Sequence, residues 1–146
     1  MEVVFHSSDV DFFPEEQEQS LVRDWISAVL ENEKQITTGE ISIIFCSDQY
    51  LLEMNQEYLG HHYFTDIITF PYSETPLTAD LFISVDRVRD NADQMDVDFT
   101  EELRRVMIHG VLHLCDFADD TEESQREMRQ AEDKYLQWLS SGQHDI

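Results

Sequence analysis

The stretch HGVLHLCDFAD, residues 109–119, constrains this chain more than any other part of it. Residues four apart lie on one face of an α-helix, so His109 and His113 project their imidazoles together. Six residues after His113 the helix has ended, and the chain can fold back to bring the carboxylate of Asp119 to the same place. Two nitrogens and one oxygen leave the fourth tetrahedral position of a divalent metal open to water. That is the layout of a catalytic zinc site and not of a closed structural one. The pattern points to hydrolysis with one divalent metal, zinc being the expected ion, held by His109, His113 and Asp119. The alternative is a pair of histidines packed on an apolar helix with no metal; Asp119, with further acids behind it, is what weighs toward the metal.

A chain of 146 residues is long enough to bury a core without staples, and the expectation is a single domain over residues 1–146. No run of about 18 apolar residues occurs, and MEVVFHSSDV has neither the basic start nor the apolar stretch of a signal peptide, so a cytoplasmic protein with no membrane contact is expected. Cys46 lies in an apolar run and Cys115 on the far side of the histidine helix, and both read as buried hydrophobes. The 9 basic residues face 32 acidic ones, for a net charge of −23, and only Lys34 and Lys134 are lysines. Taken alone, such a surface repels polyanions and argues against nucleic acid as a partner. Because the acids are spread along the chain, the favoured reading is adaptation to a salt-rich cytoplasm, where screening shortens repulsion to about 3 Å at 1 M salt.

Along the chain, Glu2–Phe5 reads as a strand and Pro14–Glu31 as a helix, with Pro in its first turn and Leu21, Trp25, Ala28 and Val29 on one stripe. Ile41–Cys46 reads as a buried strand, and Ser47 or Asp48 caps a helix running through Leu51, Asn55 and Tyr58 to a loop at LGHHYF. Asp66–Tyr72 and Asp80–Val85 are β-branched and aromatic, hence strands, joined by a loop through SETPLTA. A polar helix near Asp86–Gln94 precedes the histidine helix, which is expected to start at Thr100. Asp120 and Glu123 form a D-x-x-E capping box for a last helix with Met128, Ala131, Tyr135, Trp138 and Leu139 on one face; GQHDI is a loose end. The expected fold is α+β, a small mixed sheet of about four strands with about five helices and the metal site at a helix end.

These residues resemble the YbeY family of bacterial metal-dependent endoribonucleases. That family carries H-G-x-L-H-L-x-G-Y-D-H, and HGVLHLCDFAD keeps its first six positions. Its N-x-x-Y-R and T-D-V-L-S-F segments find Asn55, Tyr58 and then Thr65, Asp66, Ile67, Ile68, Thr69 and Phe70; its G-D-I-x-I strand finds Ala79, Asp80, Leu81, Phe82 and Ile83. The resemblance runs from about residue 40 to 120. It implies a single-strand-preferring endoribonuclease acting in maturation of small-subunit ribosomal RNA and in ribosome quality control. RNA, the ribosome and ribosomal proteins are the implied partners, and DNA is not.

Three positions depart from the family pattern. Its third histidine is Asp119, a harder oxygen donor. Its glycine at the helix exit is Asp116, which tolerates left-handed backbone better than most residues. Its arginine after Tyr58 is Leu59. Arg105, one turn before His109, is on the same face and is expected to take over phosphate contact by bidentate pairing; an ion pair with Glu101 or Glu102 is the other reading. Gly110 stands where H-E-x-x-H peptidases carry glutamate, so the base falls to Asp66, Asp80, His61 or His62, or to a metal-bound hydroxide. Two other functions fit parts of the pattern: a zincin-like metallopeptidase, from the H-x-x-x-H and Asp119 spacing, and a non-catalytic ribosome-assembly factor, from Leu59 and the acidic surface.

Overall fold

The computed structural model describes residues 1–141, so the GQHDI segment lies outside the described residues. In chain order the elements are β1 (Glu2–Ser7), α1 (Glu16–Lys34), β2 (Gly39–Cys46), α2 (Asp48–Leu59), β3 (Ile67–Glu74), β4 (Leu77–Ser84), α3 (Val85–Met95), α4 (Phe99–Leu114) and α5 (Glu122–Ser141). The strands form one sheet in the order β1-β2-β4-β3, with β1, β2 and β4 parallel and β3 antiparallel to β4 at the edge. This is the expected α+β fold with a mixed four-stranded sheet and five helices. Among the described residues no helix is long and apolar enough to cross a membrane.

The pleat sends alternate strand residues to opposite faces, and the two faces receive different cover. Val3, Phe5, Ile41, Ile43, Phe45, Leu81 and Ile83 pack with Trp25, Ile26 and Val29 of α1, Met107, Ile108 and Val111 of α4, and Met128 and Tyr135 of α5. This is the main core, and the buried Trp25 Nε1 ties α1 to α5 by donating to the Tyr135 carbonyl at 2.8 Å. The other face carries a smaller cluster of Cys46, Leu51 and Ile68 beneath α2, with Tyr50, Met54, Phe70 and Phe82 only partly covered. Cys46 and Cys115 are both buried and unbridged, and burial pushes each thiol up to about 12.

Several boundaries differ from those expected, each for a local reason. The α1 helix starts at Glu16, because Pro14 stays outside it and uses its carbonyl to accept from Gln19 Nε2 at 2.8 Å. Of the two expected caps for α2, Ser47 serves, accepting from the Tyr50 N–H. The segment SETPLTA is no loop: β3 extends to Glu74, β4 starts at Leu77, and only Thr75 and Pro76 separate them. Pro71 and Ser73 are tolerated because β3 is an edge strand with a register shift at that point. The α4 helix starts at Phe99, one residue before Thr100. Thr121 replaces Asp120 as cap of α5: its Oγ1 accepts from the Ser124 N–H at 3.0 Å, while Ser124 Oγ accepts from the Thr121 N–H at 2.9 Å.

Candidate metal centre

The chain stops α4 and returns to it within five residues. Asp116, at φ 73°, is in the left-handed region. The Asp116 N–H donates to the His113 carbonyl and the Phe117 N–H to the Leu112 carbonyl, both at 3.1 Å, which is a Schellman closure with aspartate in the usual glycine position. That closure aims the Phe117 carbonyl back at the helix, where it accepts from His113 Nδ1 at 3.0 Å. With the proton on Nδ1, Nε2 of His113 carries the free lone pair. The same turn delivers Asp119.

The three expected ligands converge. His109 Nε2 and His113 Nε2 are 3.1 Å apart, and Asp119 Oδ2 is 3.1 Å from the first and 3.3 Å from the second. A tetrahedral ion with bonds of about 2.0–2.1 Å needs donor separations of roughly 3.3 Å, so this donor set fits a metal. Among the described residues no other group of three or more histidine, cysteine or carboxylate side chains converges in this way. Both imidazoles are half-buried, and Asp119 is open to solvent on one side.

A residue absent from the sequence reading completes the arrangement. Glu132 of α5, 4% exposed, accepts from His109 Nδ1 at 2.6 Å and so fixes the ring with Nε2 toward the triad. Burial works to lower the His109 pKa, but the hydrogen bond to Glu132 and the charges of Glu132, Asp119 and Asp66 outweigh it and raise it. One signal was present in the sequence: Glu132 lies four residues after Met128, inside the stripe that α5 buries, where a carboxylate needs a partner. Glu102 is likewise 5% exposed, and burial, then the charge of Asp66, pushes its carboxyl up.

Arg105 meets neither Glu101 nor Glu102 in an ion pair. Its Nη1 lies 2.9 Å from Glu132 Oε1 and its Nη2 2.8 Å from Asp133 Oδ1, so both arms of the guanidinium are engaged by α5. It lines a chamber behind His109 and not the main cleft.

The main cleft, about 560 Å³, opens over the triad, and neither lysine nor arginine lines it. Leu59 occupies its wall where the family arginine is expected. His61 and Tyr63 also line it, stacked at 5.1 Å between centroids and 17° between planes. Buried Asn55 holds their loop, its Nδ2 donating to the Tyr63 carbonyl at 2.9 Å and its carbonyl accepting from the His61 N–H at 3.0 Å. Asp66 borders both the cleft and the rear chamber, and burial pushes its carboxyl up while the charge of His109 opposes. Asp80 is withdrawn from the chemistry: it points to the opposite face of the sheet with Phe70, its register partner, and accepts from the Tyr72 hydroxyl at 2.9 Å. His62 is not among the cleft-lining residues.

Gly110 has a packing reason. A Cβ there would stand 2.6 Å from Ile67 Cδ1, 3.3 Å from Thr69 Oγ1 and 3.4 Å from Leu81 Cδ1. This position faces the sheet at close approach, so any side chain there has to displace the ends of Ile67, Thr69 and Leu81.

A mixed sheet with a His–His–Asp triad at a helix exit, facing a solvent-open cleft, defines an α+β protein whose triad could hold a metal ion. A solution structure of a protein from Thermotoga maritima shares the fold, with a TM-score of 0.62, 23% identity and coverage of 98% of this chain and 92% of that one. The chain belongs to the YbeY endoribonuclease family: the family profile described as Endoribonuclease YbeY matches residues 2–140. Endoribonuclease YbeY of Flavobacterium psychrophilum is 46% identical over 129 residues, covering 88% of this chain and 90% of the relative. That of Parabacteroides distasonis is 43% identical over 137 residues, covering 93% and 94%.

Proposed function

We propose that this chain, as one domain over residues 1–146, is a metal-dependent endoribonuclease for single-stranded RNA, with zinc held by His109, His113 and Asp119. Its place is the maturation of small-subunit ribosomal RNA and ribosome quality control in the cytoplasm, with the ribosome as partner; the family supports this. The observation that carries the reading is the convergence of three donor atoms whose histidines already have their Nδ1 protons committed, one to Phe117 and one to Glu132.

His109, His113 and Asp119 would hold a divalent metal, which would supply Lewis acidity toward a phosphodiester and its attacking water. The side chains do the rest. Asp66, at the junction of cleft and chamber, is placed to take a proton from the attacking water. The His61–Tyr63 stack offers an unpaired base a flat apolar surface, which a base already stacked in a duplex cannot use. With no cation in the cleft wall, stacking substitutes for the phosphate clamp lost at Leu59. Arg105 acts in this reading through Glu132: it fixes the carboxylate that fixes His109.

The test compares metal content and cleavage of single-stranded RNA, duplex RNA and a peptide for the wild type and a His113→Ala/Asp119→Ala variant. One bound metal and cleavage of the single strand alone, both lost in the variant, are expected. Peptide cleavage, or RNA cleavage that survives loss of the metal, overturns the reading.

A further inference from the structure

The sheet face opposite the metal centre carries a groove of about 520 Å³ between α2 and the β3–β4 edge. Tyr50, Met54 and Tyr58 form one stripe of α2 along it, and Phe70, Tyr72 and Phe82 form its strand wall. The rings support one another: Tyr58 meets Phe70 edge-on at 6.1 Å, Phe70 meets Phe82 edge-on at 5.8 Å, and Tyr50 stacks on Phe82 at 6.5 Å. Tyr58 and Tyr72 are each 62% exposed, a large aromatic surface to leave in water.

Its charges all have one sign. Glu53 and Glu57 line the groove on the α2 side, Asp80 stands at the Tyr72 hydroxyl on the strand side, and neither lysine nor arginine lines it. Among the described residues Glu57 has no ion-pair partner, and Glu53 accepts only an amide proton from Gln49 at 3.3 Å. Aromatic faces attract cations, and a planar guanidinium stacks on them better than an ammonium does. Carboxylates around such rings add charge pairing and penalise a phosphate-bearing chain. A second copy of this chain is penalised in the same way, since each copy carries −23. The three carboxylates do not converge as metal ligands either.

We infer that this groove is a docking site for a basic segment of a partner protein, which lays an arginine side chain against Tyr58 and Tyr72 within reach of Glu53, Glu57 and Asp80. The groove adjoins the cleft along α2 and β3 but shares no lining residue with it and includes none of the triad, so a protein held there leaves the triad open to RNA. The pleat separates the triad from the groove: Ile67, Thr69 and Leu81 face α4 at Gly110, while Phe70 and Phe82 face α2.

The test uses the full chain with its metal, an oligo-arginine peptide with blocked ends, an oligo-lysine peptide and oligouridine. Binding is followed through the Met54 methyl signal at about 0.15 M KCl, where charges beyond roughly 8 Å are screened. The oligo-arginine peptide should shift Met54 at lower concentration than oligo-lysine does. Its Kd should rise about fivefold or more in Glu53→Gln/Glu57→Gln and about two- to fivefold in Tyr72→Ala. These side chains are exposed, so the variants should keep the wild-type melting temperature, which is measured alongside. Binding that is unchanged in both variants overturns the inference. So does oligouridine that shifts Met54 and displaces the peptide.

Discussion

The two faces of the sheet solve opposite problems with the same residue types. On the α4 face, carboxylates and cations are matched: buried Glu132 is shared by His109 and Arg105, and Asp133 takes the second arm of that arginine. On the α2 face, Tyr58 and Tyr72 are largely exposed, and the groove's carboxylates Glu53 and Glu57 have no cationic partner among the described residues. A site that must hold donor atoms within a few tenths of an ångström needs its supporting side chains fixed before the ligand arrives. A surface that meets another macromolecule keeps its charges and rings available. Burial with internal pairing marks the first, and exposure without it marks the second.

The largest effect should come from loosening the paired side. Glu132→Gln keeps the shape but gives His109 Nδ1 a weaker acceptor, and metal affinity measured by chelator competition should fall about 10- to 100-fold. Unchanged affinity would mean that the buried carboxylate serves packing alone and that the contrast between the faces is not functional.

Salt tests the open side against the cleft. A protein of charge −23 and RNA repel until screened, so cleavage should hold or rise between about 0.1 M and 1 M KCl, the reverse of binding by counterion release. Activity that falls steadily over that range would show that a cationic RNA path exists outside the cleft.

Arg105→Lys is a smaller probe with two distinguishable results. A lysine keeps the charge but cannot engage Glu132 and Asp133 together, so metal affinity should weaken by about threefold to tenfold, with kcat/KM for RNA following only at limiting metal. A loss of kcat/KM at saturating metal, with affinity intact, would instead assign the guanidinium to the phosphate.

The smallest change concerns the turn that builds the site. Asp116 holds φ 73°, and its ion pair with Lys34 at 2.5 Å is exposed, so Asp116→Gly should relieve more strain than it loses in charge pairing. Thermal unfolding should show a gain of roughly 0.5–1 kcal/mol with the metal site intact. A net loss would mean that the Lys34 pair, which links the end of α1 to the helix exit, outweighs the backbone term.

Local spacing explains what was legible in the sequence. His109 and His113 are one helical turn apart and Asp119 follows within six residues, so short-range geometry nearly compels their meeting. The alternating apolar residues of β2 and the apolar stripe of α5 were legible for the same reason, as was the burial of both cysteines. Capping was only half legible. Thr121 and Asp120 are both competent caps by residue type, and the reciprocal Thr121–Ser124 bonds are what close α5.

What the sequence by itself determined is the triad, the elements and the family pattern, because each rests on residues a few positions apart. The tertiary structure decided which charges meet. Arg105 finds its partners 27 and 28 residues away on α5, and His109 finds Glu132 23 residues away, none of which helical periodicity can reveal. It also decided which acids belong to the site. Asp66 borders the cleft and Asp80 does not, because the pleat and the β3–β4 register turn Asp80 to the other face. A buried charge is stable only beside its complement, and only the packing of α5 against α4 brings the complement there.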